Sequence, residues 1–161
     1  MEDKIKFAKE FERYGATLYI EIGMKAENMI TKKLFYSLAR QEIEHLEAIE
    51  NFVLTGDYKA AEEIKVEEEI KDFFNSLKER SKTENHIDGY KTALEIEKKG
   101  YAQYEKFYRE TKDEKEKRFL KFLIEQEKAH IEAIVNVYSY ITQTGDWFEQ
   151  EESKIWNWMN I

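Results

Sequence analysis

The sequence of 161 residues contains no cysteine and no proline, and it has only six glycines. Without cysteine, these residues hold no disulfide framework, no thiolate zinc site and no cysteine-ligated iron centre. Without proline, and with so little glycine, nothing interrupts long helical segments, and the turn residues that an all-β protein needs are scarce. The composition therefore predicts an all-α protein.

Long apolar runs and an excess of basic residues are also missing. No stretch approaches the roughly 20 apolar residues of a membrane-spanning helix, and the first ten residues carry charges throughout instead of an apolar signal segment. The net charge is −8, whereas nucleic-acid binding needs a basic surface. We therefore expect no nucleic-acid partner, no membrane association and a cytoplasmic location.

The chain does have enough apolar material for one folded domain over residues 1–161. Hydrophobic residues make up 42% of it and charged residues 37%. These proportions are typical of a globular protein of this size with a buried core and a heavily charged exterior.

An internal repeat organises the chain. Shifted by 85 residues, positions 8–51 align with positions 93–136 without a gap, and 14 of the 44 aligned pairs are identical, several times the chance expectation. Both halves end on a Thr-Gly-Asp-aromatic sequence, at residues 55–58 and 144–147, so the second half carries four extra residues, about one helical turn. The sequence therefore predicts a duplicated helical hairpin.

Apolar residues at helical spacing predict two helices in each half. The first helix is expected to stop near Asn28, and the second to begin with Thr31 as its N-cap and to end at Gly56. In the second half, Asp113 and Glu116 have the spacing of a capping box. Short connections between the paired helices predict antiparallel hairpins.

The predicted architecture is an all-α four-helix bundle with one long crossover. The first hairpin is expected at residues 1–56 and the second at 86–146, joined by a partly helical crossover at 57–85. A short C-terminal helix is expected at 147–161, packed on the bundle through its aromatic residues.

Six repeated polar residues fall on the helix faces that must point into the core. Glu42 and His45 interrupt the apolar stripe of the second helix, and their repeats do the same in the fourth. Burying four carboxylates costs several kcal/mol each unless the charge is compensated, and no repeated lysine or arginine lies on these stripes. Two divalent cations would balance the charge, with two neutral imidazoles completing the shell. The predicted metal ligands are Glu12, Glu42, His45, Glu97, Glu127 and His130.

One glutamate from each of two helices, with Glu-x-x-His from each of the other two, is the ligand set of di-iron and di-manganese carboxylate bundles. A single Glu-x-x-His is weak evidence in a glutamate-rich chain. Two copies in register, each 30 residues after a matched glutamate, are strong evidence. The alternative interpretation is a duplicated helix in which the glutamates lie on the surface and the histidines are buried core residues with their hydrogen bonds satisfied. Oxygen and imidazole donors suit iron, manganese or zinc.

The repeated pattern Glu-x-x-Gly-x-x-x-Tyr…Gln-Glu-x-x-His resembles the rubrerythrin-like branch of the ferritin-like superfamily, over most of residues 5–147. The resemblance implies a ferritin-like bundle whose six ligands hold two iron ions. Glu42 and Glu127 would bridge the ions, while Glu12 and Glu97 would be terminal. It also implies an oxidoreductase that reduces hydrogen peroxide or dioxygen.

Two departures from the family pattern affect the expected activity. Rubrerythrins append a cysteine-ligated iron domain, which a sequence without cysteine cannot form, so we expect an external electron donor such as a rubredoxin-type protein. They also place an additional glutamate, which takes part in a redox-linked ligand switch, where this chain has Gly100. We expect turnover to be slow as a consequence.

Several residues near the predicted ligands are candidates for a structural or functional role. For Tyr19 and Tyr104 the sequence favours packing over a hydrogen bond to a ligand or electron donation. Gly15 and Gly100 would permit close helix approach or leave space for a small molecule. Gln41 and Gln126, adjacent to the bridging glutamates, are candidates for contacts that orient the ligands. By helical angle Glu47 and Glu132 are surface residues, and His86 is too far along its helix to be a ligand.

Other functions are compatible with the same residues. The chain could bind or store iron without catalytic turnover, and storage needs a large hollow shell. It could also be a bundle that holds zinc or manganese for stability. A small bundle with 14% aromatic residues also favours an oligomer, most simply a homodimer.

Overall fold

The computed structural model describes residues 2–57 and 87–142, which form four helices. Helix α1 spans Glu2–Lys25, α2 spans Met29–Thr55, α3 spans Ile87–Glu110 and α4 spans Glu114–Thr142. These residues contain no β-strand, which confirms the all-α prediction. None of these four helices is both long and apolar enough to cross a membrane. His86, nearly all of the predicted crossover and the predicted C-terminal helix lie outside the described residues.

The helices form a bundle of two antiparallel hairpins, α1 with α2 and α3 with α4. Helix α1 also packs on α3, and α2 on α4. Gly56, at the end of α2, lies beside Lys115 near the start of α4, whereas Gly89 of α3 lies against Ile22 near the end of α1. Helix α2 therefore ends, and α3 begins, at opposite ends of the bundle, which is the arrangement that a long crossover requires.

The start of α2 differs from the prediction. Asn28 is its N-cap, because its side-chain oxygen accepts hydrogen bonds from the amides of Ile30 and Thr31 at 2.8 and 3.4 Å. Thr31 is not the cap. Its buried hydroxyl lies 2.9 Å from that of Tyr90 on α3, a contact between helices that no local pattern reveals. The repeat could have identified this cap, because Asn28 aligns with Asp113, the predicted capping residue of the second hairpin.

Two other helix ends follow the prediction. Gly56 closes α2 in the left-handed conformation, with φ of 69°, and its N–H donates to the carbonyl of Phe52 at 2.8 Å. Asp113 caps α4 by accepting from the amide of Glu116 at 2.8 Å. The reciprocal bond of a capping box is replaced, since the Glu116 carboxylate accepts from the Thr111 hydroxyl at 2.5 Å instead.

The apolar core has two parts, one towards each end of the bundle. On α2, Leu38 belongs to one part and Ile49 to the other. On α4, Ile134 belongs to the first part and Leu123 to the second. The repeated Glu-x-x-His sequences lie between these residues on both helices, so the polar centre occupies the middle of the bundle with apolar packing on either side.

Candidate metal centre

The six predicted ligands converge in the middle of the bundle. Each of these residues is at most 2% exposed. The i, i+3 spacing of Glu-x-x-His puts both side chains on one helix face, and each of the four helices turns its part of the set inwards. Helix α1 contributes Glu12, α2 contributes Glu42 and His45, α3 contributes Glu97, and α4 contributes Glu127 and His130.

Their donor atoms form three overlapping groups, each with its atoms within 4.8 Å of one another. Glu127 is the one residue that belongs both to the group containing Glu12 and to the group containing Glu97. Glu42 lies between both histidines, with one oxygen 3.1 Å from His45 Nδ1 and the other 3.3 Å from His130 Nδ1. Glu42 and Glu127 thus hold central positions between two halves of the cluster. The groups are Glu12 with Glu42, His45 and Glu127; Glu97 with Glu127 and His130; and Glu42 with His45 and His130.

Each histidine turns Nδ1 towards the carboxylates and Nε2 towards a glutamine of the other half. His130 Nε2 lies 2.6 Å from the side-chain oxygen of Gln41, and His45 Nε2 lies 3.4 Å from that of Gln126. A neutral imidazole that donates its Nε2–H keeps a lone pair on Nδ1. The glutamines therefore favour the tautomer that presents Nδ1 to a metal ion.

Two buried tyrosines hydrogen-bond to carboxylates of the opposite half. Tyr19 donates to Glu97, and Tyr104 donates to Glu12. Both rings also pack in the core, so the predicted packing role is incomplete. Each tyrosine is seven residues, about 10 Å along the axis, from the glutamate on its own helix. Only the antiparallel register of α1 and α3 brings it to the other glutamate, and that register cannot be derived from one helix.

Crowding of carboxylates in an apolar interior shifts the proton affinities of the cluster. Burial, together with repulsion from Glu42, raises the pKa of Glu12 to about 8. Burial and the neighbouring carboxylates raise the pKa of Glu127 well above its usual range. Burial alone would lower the pKa of His45, but hydrogen bonds to Glu12 and Glu42 raise it to about 9. The cluster therefore holds an excess of negative charge that protons or cations must neutralise.

For two further members of the cluster, hydrogen bonds and neighbouring charges also outweigh the effect of burial on the pKa. Burial would raise the pKa of Glu42, but its hydrogen bonds and the charge of His130 hold that pKa well below its usual range. Burial would lower the pKa of His130, but the charges of Glu97 and Glu42 raise it well above its usual range. Glu42 is thus the carboxylate that its hydrogen bond with Glu12 and its contacts with the two histidines keep ionised.

Several buried polar atoms at the centre have no hydrogen-bond partner within the part of the chain that the structure describes. They are both carboxylate oxygens of Glu127, Oε2 of Glu97 and Nδ1 of His130. The last two lie 3.3 Å apart but lack hydrogen-bond geometry. Buried acceptors without donors are costly, and a metal ion satisfies them because their lone pairs become ligands.

The charges around the cluster also fit metal binding. Among the described residues, the basic groups that pair with its carboxylates are the two histidines, and no lysine or arginine does so. Four carboxylates and two imidazoles balance two divalent ions and supply the donor types that iron, manganese and zinc accept. The residues present therefore fit a two-metal centre.

Gly15 and Gly100 let the backbones of α1 and α3 approach the central glutamates. A Cβ at Gly15 would lie 3.3 Å from Glu42 Oε1. A Cβ at Gly100 would overlap the ring of Phe11 and lie 2.8 Å from Glu127 Oε2. Of the two predicted roles, close helix approach is the one that these distances support.

Gly100→Ala is expected to destabilise the metal-free protein by about 1–3 kcal/mol, because the added methyl group overpacks the core. Gly15→Ala is the matched control at the aligned position. There the contact is looser, and the gain in helix propensity, about 1 kcal/mol, should leave stability nearly unchanged. Urea unfolding followed by circular dichroism measures both, and equal stabilities of the two variants would contradict the packing difference.

The other residues considered in the sequence analysis are not candidate metal ligands. Glu47 and Glu132 are exposed, as predicted from their helical angle. The glutamines were correctly placed beside the cluster by the sequence, but their pairing with histidines across the two halves was not foreseen.

A family model described as Rubrerythrin matches residues 3–138, a range that includes both hairpins up to the last turns of α4. Searches of the curated proteins and of the solved structures gave no match.

Proposed function

We propose that this chain, which belongs to the rubrerythrin family, binds two iron ions and reduces hydrogen peroxide or dioxygen with electrons from an external donor. The observation that carries the proposal is the buried cluster of four carboxylates and two histidines, in which both oxygens of Glu127 and one of Glu97 lack hydrogen-bond donors. The proposed ligands are Glu12, Glu42, His45, Glu97, Glu127 and His130.

Within this centre we assign the bridging role to Glu42 and Glu127. Glu127 is shared by the two groups of donor atoms that otherwise have no common member, and Glu42 contacts both histidines. Glu12 with His45 would complete one ion, and Glu97 with His130 the other. The pseudo-symmetry of the repeat supports this division, since it relates each ligand to its partner in the other half.

The tyrosines and glutamines hold the ligands in place. Burial and the nearby carboxylates raise the pKa of Tyr19 and of Tyr104 well above the usual range, so both phenols stay protonated and keep donating to Glu97 and Glu12. The apolar packing on either side of the centre keeps bulk water away from it, and the ligand atoms are pre-oriented before any substrate arrives.

When bound by these residues, a pair of ferrous ions would supply the two electrons that, with two protons, convert one hydrogen peroxide into two water molecules. The sequence contains no cysteine, so no thiolate-ligated redox centre lies within these residues to restore the ferrous state. We propose that a donor outside these residues, of the rubredoxin type, supplies the electrons for each further turnover.

Anaerobic protein loaded with ferrous iron is expected to consume about one hydrogen peroxide per pair of iron ions, and then to stop until a rubredoxin-type reductant is added. Stopped-flow absorption follows the oxidation of the iron, with dioxygen tested in a parallel series. Protein loaded with zinc, which has no redox chemistry, is the control. A fully occupied ferrous centre that peroxide leaves unchanged would reduce the proposal to metal binding alone.

Two further measurements separate the alternatives. A native mass of a large hollow shell would favour iron storage over peroxide reduction. Protein purified anaerobically with zinc or manganese in place of iron would favour a metal centre that serves stability.

A further inference from the structure

The aromatic ring of Phe11 covers the buried cluster on its α1–α3 side. An added Cβ at Gly100 of α3 would lie 2.8 Å from Oε2 of Glu127 and 2.4 Å from the edge of the Phe11 ring. The ring therefore fills the space beside Gly100 and next to this oxygen. Glu127 is fully buried, and neither of its carboxylate oxygens has a hydrogen-bond partner among residues 2–57 and 87–142. An unpartnered ligand atom thus faces the space that Phe11 occupies.

Phe11 also extends towards the surface of α1. Its side chain is partly buried, as is that of Phe7, and the two rings stack with centroids 5.6 Å apart. The edge of Tyr104 packs against Phe11 at 6.1 Å. Tyr14, one turn further along α1, is 57% exposed. The Phe11 ring therefore lies between the Glu127 carboxylate and an uncharged stripe on the outside of α1.

Movement of this one ring would connect the cluster with solvent. The ring atoms nearest to Gly100 are Cε1 and Cζ, at the far end of the side chain, so rotation about the Cα–Cβ bond displaces them most. Rotamer changes near a surface are fast and need no movement of the backbone. Since Gly100 has no side chain, outward rotation leaves a gap that ends at Oε2 of Glu127. We call this gap the Phe11 passage.

The repeat provides an internal comparison for the passage. The positions aligned with Phe11 and Gly100 are Ile96 and Gly15. Ile96 is 9% exposed, and the atoms nearest to an added Cβ at Gly15 belong to Glu42, at 3.3 Å. One oxygen of Glu42 lies 3.1 Å from a histidine nitrogen and the other 3.3 Å from a second. The carboxylate on that side already has partners, so the arrangement at Phe11 belongs to one half of the repeat.

A second partly exposed residue contacts the cluster on α4. The side-chain oxygen of Gln126 lies 3.4 Å from Nε2 of His45. This nitrogen is turned away from the carboxylates, so a molecule entering beside Gln126 would meet the outer edge of an imidazole. The Phe11 passage leads instead to a carboxylate oxygen at the centre, which makes it the better route for a molecule that must reach bound metal.

We propose that Phe11 determines which oxidants reach the metal centre, and that its ring admits hydrogen peroxide but excludes bulkier alkyl hydroperoxides. This inference rests on the proposed function. An alkyl hydroperoxide takes up the same two electrons and two protons when its O–O bond breaks, and it gives one alcohol and one water molecule. The reaction itself therefore does not separate the two oxidants. Their size does, because a closely packed ring leaves room for a small molecule before it leaves room for an alkyl group.

Ligand binding to cobalt-loaded protein tests the Phe11 passage without turnover. The visible absorption of bound cobalt changes when an added nitrogen ligand enters its coordination shell, and imidazole serves as the bulky probe. Stopped-flow mixing with imidazole is expected to give an absorption change that is roughly tenfold or more faster in Phe11→Ala than in the unmodified chain. Equal rates in the two proteins would show that Phe11 is no barrier and would overturn the proposal.

The rates at which two oxidants oxidise the ferrous protein test the selectivity. Phe11→Ala is expected to raise the rate constant for tert-butyl hydroperoxide by roughly tenfold or more, while that for hydrogen peroxide stays nearly unchanged. Loss of packing by itself would affect both oxidants alike, so the ratio of the two rate constants isolates the passage. Phe11→Leu keeps much of the apolar contact with Phe7 and Tyr104 and is expected to give an intermediate ratio. Circular dichroism verifies that both variants remain helical.

Ile96→Ala is the matched control, because it shortens an apolar side chain at the aligned position of the other half. It is expected to leave the imidazole rate and the oxidant ratio unchanged. An equal gain in Ile96→Ala, or the same oxidant ratio in Phe11→Ala and the unmodified chain, would overturn the role of Phe11 while the proposed function stands. If hydrogen peroxide leaves the ferrous centre of the unmodified chain unchanged, the proposed function fails, and the imidazole rates then decide on the passage alone.

Discussion

Glu127→Ala is expected to abolish the binding of both metal ions, whereas His130→Ala is expected to weaken mainly one. Glu127 joins the two groups of donor atoms that share no other residue, so its loss removes a ligand from both proposed ions and leaves the remaining carboxylates without a common bridge. A histidine serves one ion, and removal of a single ligand leaves the other ion its full set. The same contrast is expected between Glu42→Ala and His45→Ala.

Iron content after anaerobic loading, together with titration calorimetry, measures this contrast as the number of ions bound per chain. Glu132→Ala is the matched control on α4, because Glu132 is an exposed glutamate of the same helix and should leave two ions bound. Equal losses in the glutamate and histidine variants would remove the bridging assignment. Retention of both ions in Glu127→Ala would remove the proposed centre.

The metal-free protein is expected to lose stability as the pH rises from 4.5 towards 9. Folding raises the pKa of Glu12 from 4.5 to about 8 and that of His45 from 6.5 to about 9. A group whose pKa is raised in the folded state holds a proton there that the unfolded chain releases, so stability falls by about 1.4 kcal/mol per pH unit for each such proton between the two values. The lowered pKa of Glu42 acts in the opposite direction, but only below pH 4.5.

Bound metal is expected to cancel most of this loss. Metal ions compete with protons for the same carboxylates and imidazoles, so their affinity increases with pH. A ligand at a hundred times its Kd adds about 2.7 kcal/mol to the free energy of unfolding. The stabilisation by metal should therefore be small at pH 4.5 and large near pH 9.

Urea unfolding of metal-free and zinc-loaded protein at several pH values over this range measures both effects. Glu12→Gln removes one of the shifted groups and is expected to flatten the curve of the metal-free protein, while the exposed Glu132→Ala should leave its slope unchanged. Stability of the metal-free protein that rises between pH 4.5 and 9 would contradict the buried-charge account of the cluster.

Much of this organisation is contained in one-dimensional patterns. The absence of proline and the helical spacing of apolar residues predicted the four helices, and the 85-residue repeat predicted that they form two equivalent hairpins. The convergence of the six candidate ligands followed from two facts that need no coordinates. Glu-x-x-His places both side chains on one helix face, which is the apolar face that must be buried, and the repeat pairs each such sequence with a glutamate 30 residues earlier. The family resemblance is confirmed, while the role of the six residues as ligands stays a proposal.

What the sequence could not supply is the set of contacts between helices. Thr31 has the chemistry of an N-cap, but its hydroxyl faces Tyr90 across the bundle. Tyr19 is two turns from the glutamate on its own helix, yet it donates to Glu97 of the other half. Gln41 likewise orients His130 of α4. Such contacts depend on how far two antiparallel helices are shifted along each other, and each helix has the same local pattern at any shift.

The sequence by itself thus determined the helices, the repeat and the residues able to bind metal, because periodicity and charge burial are properties of the order of residues along the chain. The tertiary structure alone decided which nitrogen each histidine turns towards the carboxylates, which carboxylate each buried tyrosine donates to, and which apolar residues remain outside. Those features arise from the packing register of four helices, in which the side chains of all four must fill one interior together.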